Sequence, residues 1–324
     1  MEPPLWAWIA LIGAVPLLVA VDLLVFGRGK KEITVRTAGI WSICWIALGL
    51  GFAVIMAVTQ GHREAGEYLS GYLIEWSLSI DNLFVFAVIF SYFAVPKEIQ
   101  PKVLMIGVLG ALVFRGIFIA IGAAALDAAE WVIYVFGAFL VVTAYRLARS
   151  TGDHVDPGQN KLLRLLRRVV PSTDAYHGDR IFIRRAGRRL ATPVLGVLVV
   201  IASTDVIFAI DSIPAIFAVT DEAFIVLAAN VFAVLGLRAM FFVIVGALDR
   251  FQYLNYGLAV VLALVGAKML ASDVYHPPVY ITLGAVVVVL GVAVLASLWA
   301  TRDRGGPEEE AIHRAPAART PPGG

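Results

Sequence analysis

The chain has 324 residues, of which 60% are hydrophobic and 15% charged, and its formal net charge is +2. A soluble domain of this length needs about a quarter of its residues charged, so the composition excludes an ordinary soluble protein. Apolar runs of about 20 residues recur along the chain, and this is the length that crosses a hydrocarbon core. The sequence therefore predicts an all-α, multi-pass membrane protein. The single cysteine, Cys44, excludes a disulfide or a thiolate metal site within one chain.

The predicted membrane spans follow one another with mostly short connections. The first carries its charges after the apolar run, which is typical of a retained span and not of a cleaved signal peptide. Nine spans are predicted, at 5–26, 38–59, 68–94, 101–125, 129–147, 192–219, 222–247, 251–270 and 279–299.

Positive residues sort to alternate connections. Four Lys or Arg follow the first span, and eleven lie between Arg146 and Arg189, whereas the connections on the other side hold one, Arg63. Because Lys and Arg stay cytoplasmic, we expect an outside N-terminus and a cytoplasmic C-terminus. The expected location is a bacterial inner membrane.

Two segments are expected to lie outside the bilayer. Residues 148–191 form a basic cytoplasmic loop that touches anionic lipid, and they lack the aromatic interleaving of a nucleic-acid binder. The Gly- and Pro-rich tail, 303–324, is predicted to be disordered. A single transmembrane domain, 1–302, is expected between these limits, and the sequence does not predict its oligomeric state.

An internal repeat relates the third to fifth spans (68–147) to the sixth to eighth (192–270). The stretches "IEWSLSIDNLFVFA" and "TDVIFAIDSIPAIFA" align Glu75 with Asp205 and Asp81 with Asp211. Further along, "VFRGIFIAIGAAALD" resembles "GLRAMFFVIVGALD". Since three spans are an odd number, the second copy enters from the opposite side. Inverted repeats are typical of transporters whose substrate site lies between the repeats.

The repeated acids fall where water is scarce. An ionised carboxylate at the bilayer centre costs about 2.5–3.5 kcal/mol or more, so a bound cation, a proton or an arginine must offset it. Pro214 removes a backbone donor, and we expect the sixth span to be broken or kinked near 211–214. Carboxylate, amide and hydroxyl oxygens suit hard cations such as Mn²⁺, Mg²⁺ and Ca²⁺.

These residues make up the predicted cation site. The expected ligands are Glu75, Asp81, Asn82, Asp205, Asp211 and Ser212. The expected supporting residues are Ser79, Thr204, Arg115, Arg238 and Asp22.

Several of these residues have a second interpretation. Arg115 and Arg238, which the repeat aligns, either balance the acids or snorkel to an interface. Asp81 and Asp211 could instead form structural ion pairs with these arginines. Asp22 lies close to the end of the first span, where an interfacial charge is the simple alternative.

At these residues the chain resembles the TerC family of integral membrane proteins, the tellurium-resistance and manganese-efflux group. The motifs are "GYLIEWSLSIDNLFVFAVIFSYFAVP", "DAYHGDRIF", "TDVIFAIDSIPAIFAVT" and "NVFAVLGLRAMFF". The resemblance implies Mn²⁺ export, with protons as a possible counter-ion and no resident cofactor. It also implies that Glu75, Asp81, Asp205 and Asp211 line the path, although Ala202 stands where the family often carries another acid.

Other functions stay open at this point. Tellurium compounds or Ca²⁺ are alternative cargoes. An intramembrane aspartyl protease would use Asp81 and Asp211 as a dyad that shares a proton, but Asp211 is followed by Ser-Ile-Pro and lacks the flanking glycine of that group. The expectation is a transporter and not an enzyme.

Overall fold

The structure is a computed structural model of the whole chain. It describes residues 4–26, 34–129, 131–149, 158, 160–185, 188–245, 253–274 and 278–302. The predicted tail, 303–324, therefore lies outside the described residues.

The described residues form ten helices and one β-hairpin. The helices of the first half are α1 (Leu5–Phe26), α2 (Val35–Thr59), α3 (His62–Tyr92), α4 (Gln100–Ala128) and α5 (Val132–Arg149). A connecting lobe holds α6 (Lys161–Val169), β1 (Phe182–Arg185) and β2 (Arg188–Ala191). The remaining helices are α7 (Pro193–Phe217), α8 (Ala223–Ile244), α9 (Leu254–Leu270) and α10 (Val279–Arg302).

The helices confirm the predicted all-α membrane fold. Each of the nine predicted spans corresponds to one helix, and eight of these helices are long and apolar enough to cross a membrane. The ninth, α9, has 17 residues and is about 25 Å long at 1.5 Å per residue. Outer helices such as α1 expose large apolar side chains, including Leu5, Trp6 and Ile9, as expected of surfaces that face lipid tails.

The α8 helix lies at the centre of the bundle. Buried positions make up 17 of its 22 residues, which is typical of a helix that is apolar all round and surrounded by protein. It packs against α2, α3 and α4. The polar residues of this helix, Asn230 and Arg238, are therefore enclosed by protein.

Helices of the two predicted repeats pack on each other more than on their own half. The α3 helix packs on α8, α4 packs on α7, and α5 packs on α9. At the α5–α9 crossing, a Cβ added to Gly266 would lie 2.9 Å from the carbonyl oxygen of Gly137, so glycine permits the close approach. A two-fold axis that exchanges the two repeats would pair the same helices. The inverted orientation of the repeats stays a prediction.

The expected break in the sixth span is wrong, while the alternative of a kink near 211–214 stays a prediction. The α7 helix runs without interruption from Pro193 to Phe217 and contains Pro214. Only one helical hydrogen bond is lost at a proline, and Pro214 lies in the last turn. Ala215, Ile216 and Phe217 are fully buried there, so packing holds the helical course.

The basic loop is more ordered than its charge predicts. Its two strands pair antiparallel, with Phe182 opposite Ala191 and Arg185 opposite Arg188. The lobe is fastened to the bundle by the Tyr176 hydroxyl, which donates to the Phe93 carbonyl oxygen at 2.8 Å. The charge pattern indicated the side of the membrane but not this fold.

Candidate functional site

A buried arginine joins the two predicted repeats. Arg115 of α4 is 1% exposed. Its Nη1 pairs with Oε1 of Glu75 on α3, and its Nη2 donates to Oδ1 of Asp205 on α7 at 3.4 Å. Glu75 and Asp205 are themselves 0% and 3% exposed. Two acids that the repeat aligns thus meet at a single guanidinium, and we call these three residues the Arg115 cluster.

The site is supplied with further oxygen atoms from α3 and α7. Ser79, one turn after Glu75, donates its hydroxyl to Glu75 Oε1 at 3.1 Å. The Thr204 hydroxyl shares its one proton between the carbonyl oxygens of Val200 and Ile201, each at 2.9 Å. Both predicted supporting residues are buried.

Charge does not balance within the Arg115 cluster. Two carboxylates and one guanidinium sum to −1 when all three are ionised. Among the described residues, Glu75 Oε2 and Asp205 Oδ2 are buried and have no hydrogen-bond partner. Buried polar atoms are nearly always paired, and an uncompensated charge in a low-dielectric interior is costly. The cluster can therefore accept a cation or a proton.

Two more buried polar atoms, on α7 and α8, have no hydrogen-bond partner among the described residues. They are the Ser212 hydroxyl on α7 and the Asn230 side-chain nitrogen on α8. Ser212 was a predicted ligand. Asn230 was quoted in a family motif without a role, and its signal in the sequence is a lone amide inside an apolar run.

A second arginine forms a separate buried pair. Arg238 of α8 is 2% exposed and pairs through Nη1 with Oδ2 of Asp22 on α1. Asp22, for which an interfacial charge was the simple alternative, is 7% exposed and pairs with the central helix. Arg115 and Arg238 both contact buried acids, as a charge-balancing role requires, and their roles stay predictions.

The remaining predicted ligands are only partly described. Asn82 lies on α3 and is buried. Asp81 and Asp211 lie on α3 and α7, but their side chains are outside the described residues. Over the described part of the chain, no three Asp, Glu, His or Cys side chains are grouped closely enough to hold a metal ion. The expected six-residue ligand set thus stays a prediction.

The sequence analysis did not predict a contact between the two halves near the start of α3. Glu67 accepts a hydrogen bond from Arg63 at 3.0 Å and one from the Thr220 hydroxyl at 2.7 Å. Glu67 is only 6% exposed. The four-residue spacing of Arg63 and Glu67 on one helix was the available signal.

Comparisons with known proteins agree with the motifs. The family model described as "Integral membrane protein TerC family" matches residues 60–305. A "Putative membrane-bound redox modulator Alx" of Salmonella typhi is 44% identical over 93% of this chain and 96% of its own length. The Escherichia coli (strain K12) protein of that name is 42% identical, over 94% and 98%.

A relative outside this group of names is similar to the same extent. An "Uncharacterized membrane protein STKORF319" of Myxococcus xanthus is 42% identical over 93% of this chain and 94% of its own. No solved structure matches the chain. The family match covers well over half of the sequence, and the chain belongs to the TerC family of integral membrane proteins.

Proposed function

We propose that this protein is a secondary transporter that exports hard divalent cations, with Mn²⁺ as the preferred cargo. One observation carries the proposal: two buried carboxylates from different halves share one arginine and keep two oxygen atoms without a hydrogen-bond partner among the described residues. A cation that passes between the halves would meet this excess of negative charge. Oxygen ligands of this kind favour Mn²⁺, Mg²⁺ or Ca²⁺ over softer metals.

Arg115 acts in this proposal as a resident cation. While the site holds no cargo, its guanidinium offsets part of the negative charge of Glu75 and Asp205. A divalent ion that enters has to displace the guanidinium, and the two carboxylates with one such ion then sum to zero. Exchange of a single charge for a double one would release α4 from α3 and α7, and this is the step that we assign to alternating access.

Protons compete with metal in the same scheme. Protonation of either carboxylate makes the Arg115 cluster neutral without a metal ion, so a proton is the natural counter-ion. Asp81 and Asp211 are proposed to extend the path, one on α3 and one on α7. The resemblance to the TerC family makes efflux the expected direction, and the predicted orientation places the basic lobe in the cytoplasm.

Other cargoes and activities are outcomes of the test. Ca²⁺ fits the same oxygen chemistry, and tellurium compounds are the cargo that the wider family name suggests. Two relatives are named redox modulators; redox chemistry by a dithiol within one chain would need two cysteines, whereas this sequence has one. A protease would cut a membrane substrate while vesicles stay metal-tight.

Purified protein in liposomes that contain a metal-sensitive dye tests the proposal. We expect Mn²⁺ entry into the vesicles to fall by at least about 100-fold in Glu75→Gln and Asp205→Asn, since each removes a desolvated charge that the ion needs. Asp81→Asn and Asp211→Asn should behave alike. Glu98→Gln makes the same chemical change at an exposed residue between α3 and α4 and should transport normally. Normal transport by Glu75→Gln and Asp205→Asn would overturn the proposal.

A further inference from the structure

The short helix α6 has a composition unlike that of the spans around it. Its sequence is KLLRLLRRV, with four basic and five apolar residues. Asn160 caps its start, and its side-chain oxygen accepts from the backbone N–H groups of Leu162 and Leu163 at 3.0 Å each. A capped helix of nine residues that is docked to protein holds its side chains in fixed directions.

The two kinds of side chain occupy opposite halves of the helix. At 100° per residue, the five apolar residues fall within an arc of about 160°, and the four basic residues fall within the other half. The apolar arc divides again. Leu163 and Leu166 form one edge of it, and Leu162, Leu165 and Val169 form the other.

The first edge contacts the bundle. Leu163 is 2% exposed and belongs to the same core cluster as residues of α3, α4, α7 and α8. A Cβ added to Gly196 would lie 3.3 Å from Leu163, so α6 lies beside the first turn of α7. In addition, the Asn160 side-chain nitrogen donates to the Ser203 hydroxyl at 2.7 Å. Ser203 lies about 15 Å along α7 from Pro193, so α6 lies along the first three turns of this membrane-spanning helix, in the half that begins at the connecting lobe.

The second edge faces away from the protein. Leu162, Leu165 and Val169 are 52%, 57% and 70% exposed. Lys161, Arg164, Arg167 and Arg168, on the basic half, are exposed as well. At the end of a membrane span, the medium beside an outward apolar edge is the boundary between acyl chains and headgroups. Amphipathic basic helices bind in that boundary.

We propose that α6 is an interfacial helix that binds anionic phospholipid on the predicted cytoplasmic side. Its outward leucines and valine enter the acyl boundary, and its basic half meets the negative headgroups, each Lys or Arg adding to the attraction. Protein covers one side of the helix, lipid the second and water the third. The proposal depends on the placement of α6 and not on transport.

A fluorescent label at the outward edge tests the placement. In a Cys44→Ala background, Leu165→Cys carries an environment-sensitive fluorophore, and the full-length protein is placed in nanodiscs of phosphatidylcholine with phosphatidylglycerol. We expect lipids with a nitroxide near the headgroup to quench it at least about twofold more than a label at Arg184→Cys on the hairpin. Iodide in the water should quench the two labels in the reverse order.

A matched pair of charge variants tests the lipid preference. Native mass spectrometry in phosphatidylglycerol counts the lipids that the protein retains. Arg164→Gln with Arg168→Gln should retain about half as many as wild type, whereas Arg184→Gln with Arg185→Gln removes the same charge from β1 and should retain the wild-type number. Size-exclusion profiles check that each variant is folded.

Three results would overturn the proposal. A Leu165 label that iodide quenches as fully as the hairpin label would place this edge in water. A label shielded from both quenchers would place it against protein, such as a second copy of the chain. An equal loss of lipid in the two charge variants would make the binding a property of total charge and not of α6.

Discussion

Two buried arginines, aligned by the internal repeat, end in different electrostatic surroundings. Arg115 on α4 and Arg238 on α8 are 1% and 2% exposed. Arg115 contacts an acid from each half, Glu75 and Asp205. Arg238 contacts Asp22 from α1, a helix that precedes both repeats. The repeat thus predicts equivalent positions, while a helix outside the repeat changes what one of them does.

The two arginines differ in the net charge of the groups that surround them. Counted over the described side chains alone, Asp22 and Arg238 sum to zero, whereas Glu75, Asp205 and Arg115 sum to −1. A neutral pair between α1 and α8 fastens the first helix to the central one, so α1 does more than pack against the bundle. A cluster with residual negative charge has a use for a cation, and we assign function to that cluster.

Removal of Asp22 should have the largest effect on stability. Asp22→Asn breaks the buried pair of Asp22 with Arg238, and breaking a buried ion pair costs about 3–5 kcal/mol. Glu75→Gln should cost less, roughly 1–3 kcal/mol, because Asp205 remains beside Arg115. Unfolding in detergent, followed by tryptophan fluorescence, compares the two variants.

A double variant serves as the control for this difference. Asp22→Leu with Arg238→Met replaces the pair by apolar side chains of similar size, and such a replacement is often neutral. It should therefore recover most of the stability and keep Mn²⁺ transport. Two results would contradict the difference between the two arginines. One is equal stability of Asp22→Asn and wild type, and the other is loss of transport in a stable double variant.

Arg115→Gln should change how strongly Mn²⁺ stabilises the protein, and we expect this change to be smaller than the loss of stability in Asp22→Asn. Two carboxylates then lack their resident cation, and a divalent ion no longer has to displace a guanidinium. A ligand present at 100 times its dissociation constant stabilises by about 2.7 kcal/mol. We expect Mn²⁺ to raise the melting temperature of Arg115→Gln more than that of wild type.

The aligned arginine again supplies the control. Arg238→Gln removes an equally buried guanidinium that lies outside the Arg115 cluster, and it should show no added response to Mn²⁺. If Mn²⁺ stabilised both variants equally, or neither, the Arg115 cluster would not be the cation site.

Periodicity and length were sufficient to predict the helices. Each of the nine predicted spans became a helix because a long apolar run has few alternatives in a bilayer. The α6 helix was not predicted, because its four basic residues were interpreted as part of a basic cytoplasmic loop. Its leucines follow a helical period that nine residues barely show. The effect of Pro214 was overestimated, because packing around the last turn of α7 is a tertiary property.

Part of the candidate site was predictable from the sequence, and part depends on tertiary packing. That intramembrane acids need compensation followed from the sequence, and Arg115 was named as one source of it. Which acids it would contact did not follow. Six residues turn a helix by about 240°, so a regular helix does not place positions 75 and 81 on one face. The packing of α3, α4 and α7 brings Glu75 and Asp205 to one guanidinium. The partner of Arg238 lies 216 positions away along the chain, a separation at which the sequence carries no pattern.

An exposed ion pair is expected to contribute less to stability than the buried pairs do. Lys102 donates to Asp179 at 2.6 Å, and their side chains are 46% and 53% exposed. This hydrogen bond and the charge of Lys102 hold the pKa of Asp179 below its usual range. A carboxyl whose pKa is lower in the folded state stabilises the fold above its unfolded pKa of about 3.9. That contribution disappears as the pH falls through the folded value.

Asp179→Asn should therefore lower stability at pH 7 only slightly, by less than about 1 kcal/mol, since solvent screens exposed pairs. At a pH below the folded pKa of Asp179, the variant and wild type should unfold alike, because the carboxyl is then protonated in both states of the wild type. High salt should shrink the difference at pH 7. Unfolding curves at the two pH values measure this. A loss at pH 7 as large as that of Asp22→Asn would mean that burial does not set the strength of these pairs, and the distinction between Arg115 and Arg238 would have to rest on something other than desolvation.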